Sequence, residues 1–252
     1  MAFEKDSESI IEGRNAVREA LRAGRAIDKI YIAKGDVDKT LGHIASTARG
    51  MGVVVVEADR RKLDGMSATG AHQGVVALAA VREYCSVADI LAIAQERGEP
   101  PFVIVCDEIS DPHNLGAVIR TAECAGVHGI IIPKRRSAGL TSIVDKASAG
   151  AAEHMPVARV ANLTAAIREL KDAGLWVYGT AADGTSSLWQ TDFRGPMCLV
   201  IGSEGDGMGR LVAENCDFLV SIPMRGRISS LNASASAAIV IYEALRQRSR
   251  ES

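Results

Sequence analysis

The feature that most constrains this chain is a series of short segments in its second half built on consecutive apolar residues: "FVIVCDEI", "GIIIP", "LWVYGTAA", "MCLVIGSEG" and "DFLVSIPM". Their apolar residues follow one another directly, where a strand with one wet face would alternate. Helical patterns such as "LTAAIRELKDAG" separate them. Strands buried on both faces, with helices between them, form a parallel α/β sheet covered on each side. In such a sheet ligands bind beyond the carboxyl ends of the strands. The loops after "FVIVCDEI", "MCLVIGSEG" and "DFLVSIPM" are therefore where chemistry is expected.

The first eighty or so residues follow a smaller α/β pattern. Ala16, Val17, Ala20 and Leu21 have helical spacing, "KIYIA" reads as a strand, and Val37, Leu41 and Ile44 predict a second helix. "VVVVEA" and "GVVALAA" read as buried strands, with "ATGAHQG" a loop between the later elements. A seam falls near Tyr84. Ser86, with Asp89 three residues on, makes a capping-box pattern; Val87, Ile90, Leu91 and Ala94 form one apolar stripe, and Gly98, Pro100 and Pro101 end that helix. Two domains are expected, residues 1–84 and 85–252.

Composition narrows the partners less than the pattern does. Lys and Arg number 29 against 31 Asp and Glu, a formal net charge of -2, so any basic surface must be local, as at Arg60-Arg61-Lys62, Lys134-Arg135-Arg136, and Arg225 with Arg227. Cys85, Cys106, Cys124, Cys198 and Cys216 are odd in number, widely spaced and never arranged C-x-x-C. They read as reduced core residues, and no metal site is expected. No run approaches the ~18 apolar residues of a membrane span, and "MAFEKDSESI" lacks the apolar stretch of a signal peptide; a cytoplasmic protein without a membrane partner is expected.

Three segments occupy the expected loops. In "DPHNLGAVIRTAECAG", Asp111 and Pro112 turn the chain, Asn114 can cap a helix, Gly116 permits close approach, and Arg120 lies in the second helical turn. "GSEGDGMG" is a glycine-rich turn holding Glu204 and Asp206. In "IPMRGRISSLNASASAA", Ser229, Ser230 and Asn232 precede or cap a helix whose first turns carry Ala and Ser where a core helix would carry Leu or Ile. The glycines do not complete G-x-G-x-x-G, and neither G-K-[ST] nor H-E-x-x-H occurs. A nicotinamide-dependent dehydrogenase and a zinc hydrolase both lack their fingerprints.

In this order the three segments resemble the SpoU branch of the SPOUT RNA methyltransferases. Asn114, Gly116 and Arg120 match its first motif; Gly202, Glu204 and Gly207 its second; Ile222, Pro223, Met224, Ser230, Leu231 and Asn232 its third. "EGRNAVREAL", "HQGVVA" and "GTSSLWQTDFRGP" further resemble the subgroup acting on large-subunit rRNA guanosine, so the likeness spans nearly the whole chain. The resemblance implies a small N-terminal α/β substrate-binding domain (L30e-like) and a C-terminal parallel-sheet α/β domain with a deep trefoil knot. Small residues after Asn232 suit the crowding of such threading, which general rules of chain topology would have excluded.

The resemblance also implies S-adenosylmethionine as cofactor, held by backbone near Gly202, Ile222 and Leu231, with Thr180 and Ala181 as a further wall. Asn114, Arg120, Glu204, Ser230 and Asn232 would form the catalytic set. The acceptor, a ribose 2'-hydroxyl, is weakly acidic and must be positioned, relieved of its proton or stabilised as it gains charge. Arg120 fits support of the alkoxide or a bidentate grip on a phosphate better than a base role; the first two stay open. Asn114 and Asn232 would orient the ribose or Arg120, and Glu204 would fix the arginine or its loop. The implied partners are RNA, 23S rRNA or a large-subunit assembly particle, and a second copy in a homodimer. Arg14, Arg18 and Arg22, with Arg135 and Arg136, are a candidate RNA stripe. A tRNA guanosine or rRNA adenosine methyltransferase, or a non-catalytic ribosome assembly factor, are the alternatives.

Overall fold

A computed structural model describes residues 10–35, 38–228 and 230–249; Val37 and Ser229, both invoked above, lie outside the described residues. The chain divides into two compact units, Met1–Glu83 with Gly139–Ser142, and Tyr84–Ala138 with Ile143–Ser252.

The first unit runs β1 (Ile10–Glu12), α1 (Arg14–Arg22), β2 (Ile27–Ala33), α2 (Lys39–Gly50), β3 (Val54–Ala58), α3 (Arg60–Met66) and β4 (Val75–Ala79). Its sheet has the order β1-β4-β2-β3, with β2 and β3 parallel and the other pairs antiparallel. Helices α1 and α2 bury Val17, Leu21, Leu41 and Ile44 against Ile30, Ile32 and Val75, while α3 brings Leu63 and Met66 to Ala33 and Val76. The expectation that "VVVVEA" is buried needs correction: β3 is an edge strand, so Val54, Val55 and Val56 are only half-buried and Glu57 is exposed. Arg14, one of the candidate RNA-contacting arginines, donates to Asp38 at 2.6 Å and to the Gln73 carbonyl at 3.1 Å, tying down the "HQG" loop.

The second unit holds α4 (Val87–Arg97), β5 (Phe102–Cys106), α5 (Pro112–Cys124), β6 (Gly129–Pro133), α6 (Ser142–Ala147), β7 (Val157–Val160), α7 (Leu163–Asp172), β8 (Trp176–Thr180), β9 (Ser186–Ser187), β10 (Met197–Ile201), α8 (Arg210–Glu214), β11 (Phe218–Ser221) and α9 (Ala233–Arg248). Helix α6 begins within the segment grouped with the first unit. All seven strands pair in parallel, in the order β7-β6-β5-β10-β8-β11-β9. On one face α4, α7 and α8 cover Val103, Val105, Ile131, Val177 and Val200. Helix α9 packs on α5 and touches β10. The expected capping box is present, Ser86 Oγ accepting from Asp89 N while Asp89 accepts from Ser86 N. Of the cysteines, Cys106 and Cys198 are buried, with the Cys106 thiol pushed up to about 12 by burial. Cys124, read as a core residue, is exposed at the end of α5.

This strand order fixes where a ligand can sit. From β5 the chain builds outward through β6 and β7, then crosses to the other side for β8, β10 and β11. The reversal lies between β5 and β10: the two strands stay paired to their carboxyl ends, Asp107 N donating to the Ile201 carbonyl at 2.8 Å, while the connections that leave them run to opposite sides of the sheet, the arrangement that opens a crevice.

Candidate active site

The loops beyond β5, β8, β10 and β11 converge on that crevice. The β10 loop is the most constrained. Ser203 N donates to the Gly207 carbonyl at 2.9 Å and Gly207 N to the Ser203 carbonyl at 3.2 Å, closing residues 203–207 into a tight turn in which Gly207 takes a left-handed conformation, φ 67°. Gly202 sits beneath it so closely that an added Cβ would lie 2.3 Å from the Gly207 carbonyl carbon. Asp107, directly after β5, holds the far end of the loop by accepting from Gly209 N at 2.7 Å. It is 4% exposed, and burial raises its carboxyl above the usual carboxylate range.

Two cavities flank this loop. The larger, about 520 Å³, is lined by Thr180, Ala181, Gly202, Ile222 and Leu231, all five of the expected cofactor residues, together with Ser230 and the apolar Met208 and Leu219. The second, about 330 Å³, lies against the β5 loop and Asn114, and shares Ser203–Asp206 and Ala233 with the first.

Between them stands a polar cluster drawn from the first turn of α5, the β10 loop and the N-cap of α9. Glu204 Oε1 accepts from Asn114 Nδ2 at 2.9 Å and from Asn232 Nδ2, and Asn232 Nδ2 also donates to Asn114 Oδ1 at 3.0 Å. Asn232 faces both ways: its Oδ1 caps α9, accepting from Ser234 N at 3.0 Å and Ala235 N at 3.2 Å. Asn114 was expected to cap α5, but Asp111 does so, accepting from His113 N at 3.1 Å. Asn114 is thereby free to turn its buried side chain to Glu204. Gly116 permits a close approach of the protein itself, its Cα facing Ala147 and Ser148.

The structure gathers Asn114, Glu204 and Asn232 but leaves Arg120 apart. Arg120 is exposed on α5, lines neither cavity, and makes no hydrogen bond or ion pair with a described residue. Glu204 is committed to the two asparagine amides, not to a guanidinium. Sequence reasoning passed over Asp107, whose signal was present: an acid ending a run that is otherwise wholly apolar, where only a specific partner repays burial.

The larger cavity combines apolar side chains such as Ile201, Met208, Leu219 and Ile222 with the carboxylates of Asp183, Glu204 and Asp206 and carries no cation among the described residues, a lining that suits a positively charged ligand with a heterocycle. The neighbouring cluster offers amide donors and a carboxylate to a hydroxyl-bearing second substrate. Residues 101–242 match the family model described as the SpoU rRNA Methylase family, and residues 10–85 match RNA 2'-O ribose methyltransferase substrate binding. The chain is 48% identical over 236 residues to YacO of Bacillus subtilis, provisionally named a TrmH family tRNA/rRNA methyltransferase, covering 94% of each chain. It is 45% identical over 244 residues to an uncharacterized tRNA/rRNA methyltransferase of Mycolicibacterium vanbaalenii, covering 96% of this chain and 78% of that one. Among solved structures it resembles the SpoU methyltransferase AviRb of Streptomyces viridochromogenes in complex with AdoMet, at TM-score 0.59 and 26% identity over 96% and 90% of the two chains. An AdoMet-bound rRNA methyltransferase of Sinorhizobium meliloti matches at TM-score 0.59 and 27% identity, over 96% and 89%.

Proposed function

The chain belongs to the SpoU family of S-adenosylmethionine-dependent RNA 2'-O-ribose methyltransferases, and from that premise we propose that it methylates a guanosine ribose in large-subunit, 23S, rRNA. The single observation that carries the assignment of roles is the Asn114–Glu204–Asn232 cluster standing between two cavities.

The bound donor supplies an electrophilic methyl group on a sulfonium. Backbone at Gly202, Ile222 and Leu231, with Thr180 and Ala181, holds it in the larger cavity, and Ser230 closes the same wall. The carboxylate and two amides of the cluster orient the acceptor ribose, which lies toward the second cavity. Arg120, exposed and paired with no described residue, is the cation that RNA itself would engage. Its role is electrostatic, on the developing alkoxide or the adjoining phosphate. We further propose that the chain works in the cytoplasm as a homodimer, and that its C-terminal segment threads back through a loop in a trefoil knot whose crowding the small residues of α9 accommodate. Support for guanosine and large-subunit rRNA comes from the "HQG" and "SLWQ" segments of the sequence.

The test is nucleoside mass spectrometry on separate large-subunit rRNA and tRNA transcripts after incubation with isotopically methyl-labelled S-adenosylmethionine. Labelled 2'-O-methylguanosine in the rRNA alone is expected. Label confined to tRNA would overturn the substrate and leave the reaction standing.

A further inference from the structure

The second cavity has a chemistry that the methyl transfer does not explain. Four carboxylates line it, those of Glu108, Asp111, Glu204 and Asp206, against one cation, Arg136. A pocket of this sign disfavours phosphate and favours a base edge rich in N–H donors. Two of the acids are already committed, Asp111 to the cap of α5 and Glu204 to the asparagine amides.

Glu108 and Arg136 are different. They follow adjacent parallel strands, β5 and β6, and both adopt left-handed backbone conformations, φ 55° and 56°, that non-glycine residues rarely take. The two loops are laced together beside them: Ala138 N donates to the Ile109 carbonyl at 2.9 Å and Ser137 Oγ to the same oxygen at 3.3 Å, while the Ile109 side chain is buried. This lacing presents Glu108 and Arg136 side by side at the cavity, where they form an ion pair of 2.8 Å with the guanidinium largely in solvent. An ion pair so exposed is weak, so a better partner for either group displaces the other at little cost.

We propose that the second cavity is the pocket for the base of the acceptor nucleotide, and that Glu108 reads the Watson–Crick edge of guanine. Guanine alone among the four bases offers two adjacent donors on that edge, N1–H and the N2 amino group, matching the two oxygens of a carboxylate. Adenine and cytosine each place an acceptor beside their amino group, and uracil has a single N–H between two carbonyls. On binding, Arg136 leaves Glu108 and takes the RNA backbone. The inference rests on the guanosine reading above and gives that reading a residue.

The experiment uses the full chain, labelled donor, and two RNAs that differ only at the mapped target, guanosine or inosine, the latter lacking the N2 amino group. Wild type is expected to lose roughly ten- to hundredfold in kcat/KM on the inosine RNA. E108Q should lose a similar factor on the guanosine RNA and treat the two RNAs nearly alike, with unchanged affinity for the donor in calorimetry as evidence of an intact fold; E108D should behave likewise. R136A should raise KM without changing the guanosine-to-inosine ratio, and D206N should keep the wild-type ratio. If E108Q retains the full ratio, or D206N alone abolishes it, the assignment of Glu108 is wrong while the guanosine reading stands. Label in any wild-type nucleoside other than 2'-O-methylguanosine would remove both.

Discussion

At the scale of single residues, Asn232 joins a helix cap to the polar cluster proposed to orient the acceptor ribose. Asn232 caps α9 through Oδ1 and meets Glu204 and Asn114 through Nδ2. N232D keeps the capping oxygen but replaces the donor by a carboxylate facing Glu204. It should keep its melting temperature within a few degrees while losing at least about a hundredfold in kcat, whereas N232A should also lose ~1 kcal/mol of stability with the cap. Denaturant titration alongside single-turnover rates separates the two effects. Arg120 makes the opposite case. It bonds to no described residue, so R120A should unfold as wild type does and bind the donor unchanged, yet lose most of its rate. A large fall in melting temperature would show that the arginine supports the fold instead. The sequence put these residues in the segments that follow apolar strands, and the family resemblance singled them out there. It did not show their partners: Asn114 reads equally well as a cap until Asp111 is seen doing that work.

At the scale of elements, the parallel sheet was legible because its strands are apolar at consecutive positions, and α4 because its cap and stop residues are explicit. What escaped was short or mixed. Strand β1 has three residues, β9 has two, and α3 opens with Arg60-Arg61-Lys62, which reads as a charged surface until Leu63 and Met66 turn inward. The β10 loop was legible as glycine-rich, but not which glycine is indispensable. G202A drives a Cβ into the Gly207–Met208 peptide and should cost about 2–3 kcal/mol and abolish donor binding, while G205A meets nothing within 4 Å and should do neither. Similar donor affinities for the two variants in calorimetry would contradict that packing. The start of β5 depends on pH. His128, 1% exposed, accepts from Phe102 N through Nδ1 at 3.0 Å and contacts Glu99 through Nε2 at 3.0 Å. Burial lowers its pKa below the ordinary 6.5 despite Glu99, so the folded chain holds fewer protons than the unfolded one just below that pH. Stability from this group is therefore complete above about pH 6.5 and is lost as pH falls through the depressed folded value. The melting temperature of H128Q should lack that acid slope; an identical slope in both proteins would place the titration elsewhere.

At the scale of the whole molecule, the question is how a chain of net charge -2 holds a polyanion. Several of its cations are spent on the protein itself: Arg14 on Asp38 and the Gln73 carbonyl, Arg22 on Glu19, Arg210 on Glu214. The second cavity is acidic on balance. With so little net positive charge to spend, recognition is expected to lean on shape, the 2'-hydroxyl and base edges as well as on phosphate. That reasoning sets a limit on the salt dependence. If such a chain neutralises only about three or four phosphates, its RNA affinity should fall roughly 20- to 50-fold between 50 and 200 mM monovalent salt, far less than the thousandfold or more of a strongly basic binder. Donor affinity, proposed to be set in a cavity that three carboxylates line, those of Asp183, Glu204 and Asp206, involves at most a few charges and should move far less than RNA affinity over the same range. Filter binding for RNA and calorimetry for the donor measure both on one preparation. A fall beyond a thousandfold would mean that phosphate contacts dominate after all, and would shift the weight of recognition to the basic clusters at Arg60-Arg61-Lys62 and Lys134-Arg135-Arg136.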